Sequence, residues 1–177
     1  FKVKDLVPGA SLSDFEPHTG DFNGDGRRDL LLQPNSRDEE AVFLFAKKNG
    51  RFNAESISKS DLGVLLALTR AELHIGDFNG DGVDDVLVQK RNVGKKTKLV
   101  LVSEDLSSSE VVSFNDDKFG FAWNATVTQM EVVDFGNNGT ADLIFEPSTE
   151  FDPASTIPQS KISALLNVAI TANGKPR

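Results

Sequence analysis

Gly76 to Gln89 reads GDFNGDGVDDVLVQ, and Gly20 to Gln33 repeats it closely as GDFNGDGRRDLLLQ. Within nine residues the later copy sets Asp77, Asn79, Asp81 and Asp85 at positions 1, 3, 5 and 9, four side-chain oxygen donors. The earlier copy does the same with Asp21, Asn23, Asp25 and Asp29. Gly80 and Gly82 give the backbone access to the positive φ that so tight a loop demands. Three carboxylates folded this close repel one another and raise their own pKa values. A hard divalent cation removes that conflict, and calcium is the usual ion for carboxylate, amide and carbonyl donors together. The carbonyl of residue 7, Arg27 or Val83, completes each set. The sequence predicts two calcium loops.

The letters that follow decide which kind. An EF-hand needs a bidentate Glu at position 12, where these copies hold Leu32 and Val88. Each loop runs instead into a compact apolar segment, Leu30-Leu31-Leu32 or Val86-Leu87-Val88. Runs this short suit buried strands better than helices. The ninth-position Asp therefore stands at the threshold of a strand and ties the loop to a sheet.

The two copies lie 56 residues apart, and a worn third follows 57 residues later as Val133 to Glu146, VDFGNNGTADLIFE. It keeps Asp134 and Asp142, has Asn138 at position 5 and Thr140 at position 7, and loses the position 3 donor to Gly136. A fixed period of this size means stacked supersecondary units, each burying its faces against its neighbours. Short apolar runs recur around each loop. The first unit has His18–Gly20, Asp29–Gln33, Ala41–Ala46 and Phe52–Ser58; the second has Glu72–Gly76, Asp85–Gln89, Lys98–Ser103 and Val111–Phe114. Four strands per unit match a propeller blade. Runs such as VFLF and LVLV, apolar at successive positions, read as strands covered on both faces.

The expected fold is thus all-β, one array over residues 1–177. Its blades span residues 8–60, 61–117 and 118–177. The third unit supplies Gln129–Val133, Asp142–Phe145 and Ile162–Thr171 and lacks a fourth strand. Residues 1–7, from Phe1 to Val7, either belong to a preceding blade or close the third one. Three blades are fewer than the four to eight usual around a channel. A fragment or incomplete ring is the plainer reading, and the blade faces it leaves exposed predict self-association.

A chain of 177 residues, 38% hydrophobic and 26% charged, is enough for one soluble domain with a sizeable core. No run is long enough to span a membrane. The chain starts at Phe1 with no signal-peptide pattern, and so reads as a mature or trimmed fragment. The absence of Cys excludes disulfide and thiolate chemistry. A formal charge of −8 argues against nucleic acid.

The pattern D-x-N-x-D-G-x-x-D between strands, repeated at blade spacing, resembles the FG-GAP or VCBS-type repeat, which also builds the β-propeller of integrin α subunits. The resemblance implies calcium ligands Asp21, Asn23, Asp25, Asp29 and the Arg27 carbonyl, then Asp77, Asn79, Asp81, Asp85 and the Val83 carbonyl. In the third loop Gly136 departs from the pattern, which puts metal at Asp134, Asn138, Thr140 and Asp142 in doubt. The resemblance implies an extracellular, periplasmic or cell-surface setting, where weak calcium modules work. It does not imply one activity, because fold does not settle function.

A calcium whose shell is filled by protein oxygens has little room to activate a substrate, so its expected role is structural. The alternative for the loops is a set of metal-free acidic turns. His18 and His74 fall three residues before the first Asp, with Glu131 in the same place in the third unit. They could converge as a site, but satisfied or surface histidines are the simpler reading. Phe119, Phe121 and Trp123 could stack on sugar rings, against the plainer reading that they pack on a blade edge. Lys90, Arg91, Lys95, Lys96 and Lys98 flank a hairpin tip and read as a solvated turn. No nucleophile elbow or acid/base pair stands out. The expectation is a non-enzymatic recognition or adhesion module for a protein or glycan partner, with a lectin or carbohydrate-active, lyase-like enzyme as the alternative.

Overall fold

The computed structural model describes residues 11–36, 39–56, 66, 71–91, 96–103, 109–114, 125, 128–147 and 164–167. Eleven strands are found there: β1 (Phe15–Gly20), β2 (Asp29–Pro34), β3 (Val42–Ala46), β4 (Phe52–Ser56), β5 (Ala71–Gly76), β6 (Asp85–Lys90), β7 (Thr97–Val102), β8 (Ser109–Phe114), β9 (Thr128–Val133), β10 (Asp142–Pro147) and β11 (Ala164–Asn167). They form antiparallel sheets in the orders β1-β2-β3-β4, β5-β6-β7-β8 and β9-β10-β11. The protein is all-β, built of blade-like meanders. The one helical turn among the described residues, Leu12–Asp14, is capped by Ser11 and leads into β1. No helix among the described residues is long and apolar enough to cross a membrane.

The predicted strands fall where the sequence places them, with shifts at their ends. β1 starts at Phe15 rather than His18, and β8 starts at Ser109 rather than Val111. The third sheet shows three strands among the described residues; Phe1–Val7, expected either to belong to a preceding blade or to close this one, lies outside them.

Register and packing explain the successive apolar letters. Val42, Phe43 and Leu44 are all buried, though neighbours on a strand point to opposite faces. Phe43 joins the core between the first two sheets with Phe22, Leu31, Leu73, Val86 and Val100. Val42 and Leu44 join Phe15 and Leu32 on the far face of the first sheet. The apolar side chains of that far face are shielded too, as the run VFLF predicts: Leu32 and Leu44 are 0% exposed. A second seam holds Phe78, Leu87 and Leu99 against Met130, Leu143 and Phe145 of the third sheet.

The inner strands stand side by side, β5 touching both β1 and β9. Two glycines permit that approach. A Cβ on Gly20 would stand 2.8 Å from Ile75 Cγ2, and one on Gly76 would stand 2.7 Å from Val132 Cγ1. Those distances are below real contacts, so bare backbone is required at both seams. The third unit has Val133 at this place.

Candidate functional site

The three acidic loops join β1 to β2, β5 to β6 and β9 to β10, so they occupy the same place in each sheet. All three wind round their first Asp. Asp21 accepts the amides of Asp25 (3.1 Å) and Gly26 (2.7 Å). Asp77 accepts those of Gly80 (2.6 Å), Asp81 (3.3 Å) and Gly82 (2.9 Å). Asp134 accepts those of Asn138 (3.0 Å) and Gly139 (2.9 Å). Positive φ is needed at residues 4 and 6 of the loop: Gly80 stands at 79° and Gly82 at 87°. In the third loop Asn137 takes 48° at residue 4, a conformation Asn tolerates better than most side chains. The worn loop keeps its turn.

Smaller turns fill the interior. Asn23 Oδ1 accepts from the Asp25 amide, and Asp25 Oδ1 from the Arg27 amide at 3.0 Å. Asn79 and Asp81 repeat this towards Asp81 and Val83, each at 2.8 Å. In the third loop Asn138 Oδ1 accepts both the amide and the hydroxyl of Thr140.

The ninth-position Asp works differently. Asp29 and Asp85 are fully shielded, and Asp142 is 2% exposed. One oxygen of Asp29 accepts the Phe22 amide and the other the Ala46 amide of β3. Asp85 does the same with Phe78 and Val102. Asp142 accepts from Phe135 and Gly136, while its Oδ1 has no partner. In the first two loops this carboxylate therefore pins the loop's start to the third strand of its sheet. Burial raises the pKa of Asp29 and pushes that of Asp85 up to about 8, against the backbone amides that favour the charged form. Repulsion from the other loop carboxylates, the cause expected from the sequence, adds least.

The donors suit a hard cation: in each of the first two loops every candidate ligand is an oxygen, three from carboxylates, one from an amide and one from a carbonyl. Among the described residues, no three or more His, Cys, Asp or Glu side chains are gathered closely enough to hold a metal ion. The carboxylates turn instead to their own amides, and the Arg27 guanidinium lies on Asp25.

His18 and His74 do not make a joint site with Glu131. His18 Nε2 meets Gln33 Oε1 at 2.8 Å, and His74 Nε2 meets Gln89 Oε1 at 2.8 Å. Gln89 Nε2 donates to the Thr128 carbonyl of β9, which turns Oε1 towards the ring, so His74 Nε2 carries the proton. Burial lowers the pKa of His74, opposed by the Gln89 bond and by Glu72. Glu131 is exposed. Phe119, Phe121 and Trp123, and the tip Asn92–Lys95, lie outside the described residues.

Two features escaped the sequence reading. The Phe after the first Asp plugs each seam: Phe22 and Phe78 are 0% exposed, Phe22 edge-on to Phe43 at 4.9 Å, while Phe135 is 71% exposed. Its recurrence in all three copies was the available signal. The eighth residue links neighbouring loops. The Asp84 amide donates to the Asp21 carbonyl, and the Ala141 amide to the Asp77 carbonyl, both at 2.7 Å. Position 8 holds Arg28, Asp84 and Ala141, so nothing in its letters marked it.

The FG-GAP-like repeat family matches residues 20–88, the span from the first loop through the second. Residues 20–88 are thus similar to the FG-GAP-like repeat. Integrin alpha-PS3 of Drosophila melanogaster is 30% identical over 92 residues, 48% of this chain and 8% of the integrin. The chain thus covers less than a tenth of that relative. No solved structure matches it.

Proposed function

We propose that this FG-GAP-like segment is a non-enzymatic recognition or adhesion module, working outside the cytoplasm, whose first two loops hold structural calcium. The observation that carries the reading is the repeated turn: two loops with the same all-oxygen donor set, wound the same way at the same place in adjoining sheets. Calcium would be held by Asp21, Asn23, Asp25, Asp29 and the Arg27 carbonyl in one loop, and by Asp77, Asn79, Asp81, Asp85 and the Val83 carbonyl in the next. There it would offset the charge of three carboxylates and fix the surface turns for a protein or glycan partner. The integrin likeness supports the extracellular setting and the binding role. The third loop, without a position 3 donor, is left metal-free in this reading.

Mass action limits the effect to about 1–2 kcal/mol per site when free calcium exceeds Kd roughly tenfold. Chelator should therefore lower the melting temperature relative to millimolar calcium. Asp81→Ala should remove much of the calcium-dependent rise. Superimposable melts of the wild type in chelator and in calcium would overturn the calcium assignment.

A further inference from the structure

Asp84 lies between Val83 and Asp85, two candidate ligands of the second loop, yet its bonds are to the first. Its amide donates to the Asp21 carbonyl at 2.7 Å. Its Oδ2 accepts the Asp21 amide at 2.7 Å and the Arg28 guanidinium at 3.0 Å. Both backbone polar groups of Asp21, the first candidate ligand of the first loop, are thus held by one residue of the second. The Asp84 side chain is only 16% exposed, which shields these bonds from competing water. The next seam has half of this clamp: Ala141 donates its amide to the Asp77 carbonyl but has no carboxylate to return.

We propose that Asp84 couples the two loops, so that calcium bound in one raises the affinity of the other; this rests on the calcium reading above. Ordering the second loop fixes the chain from Val83 to Asp85, and the clamp passes that order to Asp21. The second ion then meets a ligand already held, and the entropy of fixing it does not have to be lost again. Coupling between sites is reciprocal, and typical values change affinity about fivefold or more.

Calorimetric calcium titration of the metal-free chain tests this. Wild type should take up two ions with a Hill coefficient above one, and Asp84→Ala, which keeps only the amide half of the clamp, should take up two with a lower Hill coefficient. Asp81→Ala should weaken the first loop about fivefold or more, and Asp25→Ala should weaken the second by the same factor. Those cross-effects decide the matter if Asp84→Ala does not fold. Two independent sites in the wild type, or a remaining loop whose affinity is unchanged, would overturn the coupling alone. No calcium uptake by the wild type would overturn the calcium reading itself.

Discussion

His74 shows how a polar residue is accommodated at a seam. It donates to Gln89, which in turn donates across to the Thr128 carbonyl of the third sheet, so a neutral imidazole completes a chain of bonds between two blades. Burial holds its pKa below the usual 6.5. In the unfolded chain the ring regains that ordinary value, so below about pH 6.5 the unfolded state binds the extra proton. The contribution of His74 is therefore present above that pH and is lost as pH falls below it. Melts of wild type and His74→Gln between pH 7.5 and 5.5 should converge on the acid side, because the carboxylate contributions common to both cancel in the difference. A constant gap across that range would show that the ring does not titrate on unfolding. The histidine positions were plain in the repeat, but their glutamine partners were not. Gln89 lies opposite Glu72 rather than His74, so the bond runs diagonally across the strand pair, which letter spacing alone does not reveal.

Strands and loops were the most legible part of the chain, because period and apolar runs reflect burial directly. All three expected loop positions lie between paired antiparallel strands, and errors were confined to strand ends, where pairing and not hydrophobicity sets the limit. The loop's aromatic residue was less legible. Its letter is the same in each copy, whereas its energetics depend on which sheet lies beyond it. Phe78 fills the seam beside Leu87, Met130 and Leu143, so Phe78→Ala should lower stability by about 3–5 kcal/mol. Phe22→Ala should fall in the same range, since Phe22 is equally buried. Phe135→Ala, at a site 71% exposed, should stay within about 0.5 kcal/mol of wild type. Denaturant melts of the three variants would check this, and a large loss at Phe135 would mean that side chain is covered in solution.

Seams, rather than single sheets, hold the molecule together, and this was legible only in part. The repeat predicted stacked units, but the parts that join them (Gly20 against Ile75, Gly76 against Val132, and the eighth-residue amides) are contacts between different copies, invisible to a pattern read along one copy. Nearest-neighbour stacking makes stability depend on how many seams a unit shares. The middle sheet shares two, with Phe22, Val86 and Val100 on one side and Phe78, Leu87 and Leu99 on the other. The third sheet's loop leaves Phe135 open and carries Val133 where close approach needs glycine. Opening should therefore begin at the third sheet and reach the middle one last, because β6 cannot be exposed without breaking both seams. In native-state hydrogen exchange the amides of Val86, Leu87 and Val88 should be the slowest of the chain and those of β10 distinctly faster. Phe78→Ala should speed β10 more than β2, since it loosens only the seam that β10 shares. Protection in β10 equal to that in β6 would mean the three sheets open as one unit, and the seam-by-seam account would fail.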